Sequence, residues 1–77
     1  MATKEEKFLV ALYKMEKKIG LDKELKPLEA ADSIGLSEKS MKNSINMLAQ
    51  TNFLKKNGVF VHLTPQGRAL VLKLLSS

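Results

Sequence analysis

Lys39, Lys42, Lys55, Lys56, Arg68 and Lys73 are the only formally charged side chains of residues 39–77, which contain no aspartate or glutamate. The chemistry open to such a set is neutralisation of a polyanion, because cations without compensating acids leave a field that attracts one. Residues 1–38 differ, since their seven lysines are interleaved with all eight acids of the chain, the arrangement of a solvated surface. Other chemistries lack their residues. There is no cysteine for a disulfide or thiolate ligand, and His62, the single histidine, cannot by itself make a His-rich metal site or a two-histidine relay. No serine or carboxylate is spaced to work with His62, which reads as a strand residue. With no phosphate loop, paired-acid motif or metal signature, the chain is expected to be no enzyme and to need no cofactor.

A chain of 77 residues is expected to be one domain, spanning 1–77, with a thin core. At this size folding buries only about 60% of the surface the unfolded chain exposes. A hydrophobic content of 44% favours a globular over a disordered chain. No apolar run approaches the ~18 residues of a membrane span, and Met1-Ala2-Thr3-Lys4-Glu5-Glu6 lacks the features of a signal peptide. A soluble intracellular protein is expected.

The elements that must position the basic residues follow from periodicity. Residues 4–19 form an amphipathic helix with Phe8, Leu9, Leu12, Met15 and Ile19 on one face, entered through a Thr3–Glu6 capping box and left through a left-handed turn at Gly20. Val10 and Tyr13 lie off that stripe and imply a second contact. After a polar connection over 21–26, Pro27 opens a short helix of Leu28, Ala31 and Ile34, with Ala30 and Ala31 allowing close approach and Gly35 ending it. Leu36 plugs the gap before a third helix over 38–50, capped by Ser37, with Met41, Ile45 and Leu48 inward and Met47 in or near the core. Asn52 suits the left-handed position that closes this helix. Residues 53–63 then read as a hairpin turning at Asn57-Gly58, so that Lys56 opposes Val59 and Leu54 opposes Val61. Leu54, Val61 and Leu63 share its core face, and Lys55, Phe60 and His62 point away. Thr64-Pro65 opens a last helix over 65–75, apolar nearly all round and therefore requiring cover on more than one side.

This order of elements resembles a winged helix-turn-helix DNA-binding domain of the MarR-like and PadR-like prokaryotic regulators. The resemblance is carried by Leu28-Glu29-Ala30-Ala31-Asp32-Ser33-Ile34-Gly35-Leu36-Ser37, by Ser40-Met41 and Ile45 to Leu48, and by Leu63-Thr64-Pro65-Gln66-Gly67-Arg68-Ala69-Leu70. It implies an α+β, mostly α fold: a three-helix core, a short two-stranded wing and a C-terminal helix, with the helix-turn-helix over 27–50 and the wing over 53–63. It also implies a small transcriptional regulator of the nucleoid that lays helix 38–50 in the major groove of double-stranded DNA. In that docking Lys39 contacts guanine edges, Asn43 pairs with adenine N6 and N7, and Ser40 reaches base or phosphate. Lys42 and Asn46 reach further along, Ser37 offers the helix N-terminus to a phosphate, and Lys55 and Lys56 meet phosphates from the wing. The chain departs from the family in having Asn52 for a glycine, a short wing turn, and no arginine in helix 38–50.

The apolar last helix, with Val10, Tyr13 and Phe60, calls for a partner. A homodimer through the first and last helices is the expectation, because it sets the two copies of helix 38–50 one DNA turn apart. Arg68 is open to a carboxylate or a phosphate. The competing reading is a winged-helix protein–protein interaction module without DNA binding, favoured by the missing arginine and the apolar last helix.

Overall fold

The computed structural model describes residues 3–20 and 23–76. Its elements run α1 (Lys4–Ile19), α2 (Pro27–Ser33), α3 (Glu38–Gln50), β1 (Leu54–Asn57), β2 (Phe60–Leu63) and α4 (Pro65–Ser76). The fold is α+β and mostly helical, four helices and one antiparallel hairpin among the described residues.

α1 starts where its capping box requires. The Glu6 N–H donates to Thr3 Oγ1 at 3.1 Å, and the Thr3 N–H donates to Glu6 Oε1 at 2.8 Å. Phe8, Leu9 and Leu12 are fully buried, and the helix packs on α2, α3, α4 and β2, so it is the hub of the core. Ile19, expected on the same stripe, is exposed, because the last turn of α1 runs past the core. Gly20 ends the helix at φ 109°, ψ 158° rather than in the left-handed turn expected of it, in a region that glycine alone enters easily.

α2 packs through Pro27, Ala30 and Ala31, an i, i+3, i+4 face. The two alanines bring this short helix close to its neighbours and turn Leu28 and Ile34 outward, against expectation. Its exit is a Schellman motif: the Leu36 N–H donates to the Ala31 carbonyl at 2.8 Å and the Gly35 N–H to the Asp32 carbonyl at 3.3 Å, with Gly35 at φ 69°. α3 ends the same way. Phe53 N–H donates to the Leu48 carbonyl at 2.8 Å and Asn52 N–H to the Ala49 carbonyl at 3.1 Å, with Asn52 at φ 67°. In both motifs the apolar residue after the left-handed position, Leu36 or Phe53, packs back on the core.

The hairpin pairs Leu54 with Leu63, Lys55 with His62, Lys56 with Val61 and Asn57 with Phe60. The turn is therefore Gly58-Val59, one residue later than expected, and the pairings Lys56–Val59 and Leu54–Val61 do not form. Gly58 takes the positive φ (63°) at the first turn position, as a type II′ turn reserves for glycine. Asn57 instead stays in the strand, its Nδ2 donating to Glu24 Oε1 at 2.9 Å. A shift of this parity leaves each side chain on its expected face, and Leu54, Val61 and Leu63 are buried as anticipated. The connection before α2 is less polar than its composition implies. Leu25 is fully buried and bridges Val61 through both backbone bonds, at 2.9 and 3.0 Å, forming a one-residue third strand beside β2; residues 21 and 22 lie outside the described residues.

Thr64 caps α4 and fastens it to the end of α3. Its Oγ1 accepts from the Gly67 N–H at 3.0 Å and donates to the Asn52 carbonyl at 2.6 Å. Gly67 touches the chain leaving α3 so closely that a Cβ there would lie 2.1 Å from the Phe53 carbonyl oxygen. Only Gly67 and Val71 of α4 are buried, so the cover its apolar sequence requires is not supplied on its outer side, where Leu72 and Leu75 are exposed. Among the described residues no helix is long and apolar enough to cross a membrane.

Candidate functional site

α3 owes its orientation to the residues that bury its inner face. Met41, Ser44, Ile45 and Leu48 point into the core, and Ser37 Oγ caps the helix by accepting from the Ser40 N–H at 3.2 Å. What remains outward is Glu38, Lys39, Lys42, Asn43, Asn46, Met47 and Gln50, all exposed, with Ser40 half-buried. Met47, expected in or near the core, is 50% exposed: two positions after Ile45 it lies some 200° round the helix, on the opposite face.

Lys55 and Lys56 are neighbours on β1, both exposed. They project from opposite faces of β1. Lys56 shares the inner face with Leu54, and from there its Nζ donates to Asn46 Oδ1 on α3 at 3.0 Å. That bond spans a groove of about 690 Å³ between α3 and the hairpin, with Met41, Ile45 and Phe60 in its walls and Lys26, Lys42 and Lys56 at its edges. The sequence-derived set is thus brought together in part. Lys42, Asn46 and Lys56 meet at this groove, whereas Lys39, Asn43 and Ser37 lie elsewhere on or before α3 and Lys55 on the outer face of the hairpin.

Electrostatically the site is loosely held. Lys42 Nζ stands 3.7 Å from Glu38 Oε1, with the two side chains 69% and 70% exposed, a pairing of the kind worth about 0.3–0.5 kcal/mol. Lys42 can therefore leave Glu38 for a stronger anion at little cost. Glu24, absent from the sequence-derived set, belongs beside it, since its bond to Asn57 puts a carboxylate near the hairpin tip. A contact across 33 residues between two exposed polar side chains leaves no sequence signal.

Arg68 is not part of this surface. Its Nε donates to Glu16 Oε1 at 2.8 Å and its Nη2 to Glu16 Oε2 at 3.0 Å, a bidentate pair that fixes α4 to α1. Glu16 is 2% exposed, so the arginine serves the interior of the fold. No group of histidine, aspartate and glutamate residues is placed to hold a metal ion among the described residues. No protein-family model, curated protein or solved structure matches the chain significantly.

Proposed function

We propose that this chain is a winged helix-turn-helix protein that binds double-stranded DNA, with α3 in the major groove and the β1–β2 hairpin as a wing on the flanking backbone, acting as a small transcriptional regulator. The observation that carries the reading is the convergence of Lys26, Lys42 and Lys56 on one groove between α3 and the hairpin, where a phosphate backbone would find three cations against one carboxylate, the loosely paired Glu38. The order of elements supports it, because the Leu25 bridge adds a strand between α1 and α2 and pairs it with β2, as winged helices do. The acid-free sequence from residue 39 onward gives the same sign of charge to the exposed residues of α3 after Glu38 and of the hairpin.

Lysine and asparagine, without arginine, are the readers on α3, so base discrimination is modest and affinity mainly electrostatic. Asn43 is the best base reader, because the acceptor oxygen of Asn46 is engaged by Lys56. The test is a salt titration of binding to a mixed-sequence duplex, followed by fluorescence anisotropy. Affinity falls steeply with salt, and Lys42→Ala lowers the log–log slope by about 0.9, one phosphate contact. Absence of binding at low salt, or a slope indifferent to both Lys39→Ala and Lys42→Ala, overturns the docking and leaves the interaction-module reading in its place.

A further inference from the structure

A second groove, about 750 Å³ in volume, lies away from α3 and the hairpin and shares no residue with the first. Val10 and Met15 of α1, Ile34 at the end of α2, and Leu74 and Leu75 in the last turns of α4 line it, and Lys7, Lys14 and Lys18 edge it. Among the described residues no acidic side chain lines it. Ile34 and Leu75 are exposed although large and apolar, and folding gives no reason for either position.

The lysines are ordered. Lys7, Lys14 and Lys18 recur at i, i+7 and i+11, which returns each to within about 20° of one line along α1 and spreads them over about 16 Å. An occupant must therefore be apolar on one side, concentrated enough to fill a groove, and anionic at several points along three turns of helix. We propose that the groove seats an amphipathic helix of a partner protein, apolar residues inward at i, i+3/i+4 and i+7, with carboxylates along the edge that meets Lys7, Lys14 and Lys18. This inference is independent of what α3 holds, and the two surfaces can be occupied together.

Other occupants fit less well. A second copy of this chain, the expectation drawn from its sequence for α1 and α4, brings two lysine rows toward one another across a two-fold axis. α4 has no acid with which to answer them, and of the acids of α1 Glu16 is bound to Arg68 and Glu6 to the Thr3 N–H, which leaves Glu5. A small amphiphile with one anionic head meets one lysine of three. A bilayer is met by a protruding surface, whereas these side chains line a concave one.

The experiment is chemical-shift mapping on the ¹⁵N-labelled full chain with two synthetic peptides of about 18 residues, five turns of helix, that share a leucine face and carry either glutamate or lysine at its edges. Sedimentation of the chain alone and titration with phosphatidylglycerol vesicles accompany it. The chain is expected to sediment as a monomer at high micromolar concentration, and the glutamate peptide to shift Val10, Met15, Ile34 and Leu75 while leaving α3 unmoved. Lys14→Glu with Lys18→Glu, both exposed positions, weakens that peptide about tenfold, the size of two exposed charge reversals, and gains binding of the lysine peptide. The proposal is overturned if both peptides bind equally, if neither shifts those residues, or if vesicles shift them instead. A dimer that Ile34→Asp dissociates also overturns it, in favour of a second copy.

Discussion

Glu16–Arg68 and Glu38–Lys42 are both carboxylate–cation pairs, yet the first has a buried acid and a half-buried cation whereas the second is exposed on both sides. The first joins α1 to α4 through two hydrogen bonds of 2.8 and 3.0 Å, with the carboxylate 2% exposed. The second is a single 3.7 Å approach between neighbouring turns of α3, with both side chains about 70% in water. The buried Glu16 carboxylate depends on Arg68, and losing the guanidinium strands it in a medium that solvates it poorly. On α3 water replaces either partner at little cost, so the charge is available to whatever arrives. Burial, rather than residue type, divides the cations of this chain into one that holds the fold and several that face outward.

The strongest way to break this contrast is Arg68→Ala. It strands the Glu16 carboxylate, and a loss of about 3–5 kcal/mol is expected, a large part of what a domain of this size has. Thermal unfolding by circular dichroism measures it. The double variant Glu16→Met/Arg68→Met removes both charges from the same space, and it recovers most of the loss or exceeds the parent. If the double variant is as unstable as Arg68→Ala, the pair's role is geometric rather than electrostatic.

Gly67→Ala comes next and probes the same junction without touching a charge. The new methyl group meets the Phe53 carbonyl, which the Asn52 turn holds in place, so neither backbone can yield freely. Overpacking of this kind costs about 1–3 kcal/mol, read in the same melting experiment. An unchanged melting temperature means that α4 pivots away from α3, and the Thr64 clamp is then weaker than its bonds imply.

These two positions also mark how far the sequence could be read. Helix boundaries and caps were legible because their determinants are local: Thr3 with Glu6, Ser37 before α3, Gly35 and Asn52 in the left-handed positions. The inner face of α3 followed from the helical period for the same reason. What depended on a distant partner was not legible. Glu16 looks like any surface glutamate until α4 brings Arg68 to it from 52 residues away. Leu25 looks like part of a polar connection until β2 offers Val61. The hairpin turn lies one residue later than the local preference for Asn57-Gly58 puts it, with Gly58 at its first position and Asn57 in the strand, bonded to the distant Glu24. Of the candidate site, the outward placement of Lys39, Lys42, Asn43 and Asn46 on α3 was legible, but the groove where Lys42, Asn46 and Lys56 meet was not, since it exists only once the hairpin folds against α3.

On the exposed side of the comparison the expected effects move from stability to binding. Lys39→Ala and Lys42→Ala leave the melting temperature within the scatter of surface substitutions, about 0.5 kcal/mol. Each reduces duplex affinity at low salt, while Lys56→Ala reduces it without altering any preference among sequences. Lys56 differs in one respect, because its removal also releases Asn46. A gain in base preference in Lys56→Ala, seen by competition between duplexes, reports that the freed amide reads a base.

The smallest effect sharpens the contrast most. Glu38→Gln removes the one acid of α3 and the partner of Lys42 while keeping side-chain shape. If exposed pairs on this helix are as loose as their solvent access implies, stability falls by no more than about 0.5 kcal/mol, including the small favourable interaction of an acid with the first turn. Duplex binding moves the other way. One fewer negative charge beside Lys39 and Lys42 raises affinity at low salt by about two- to fivefold, and the gain fades as salt screens it. The same acid-to-amide change at Glu16 removes the buried carboxylate that ties α1 to Arg68, and it is expected to cost more stability than Glu38→Gln. A Glu38→Gln that destabilises as much as Glu16→Gln would mean that the α3 charges are structural too, and the division of this molecule into a charge-fixed interior and a charge-available face would fail.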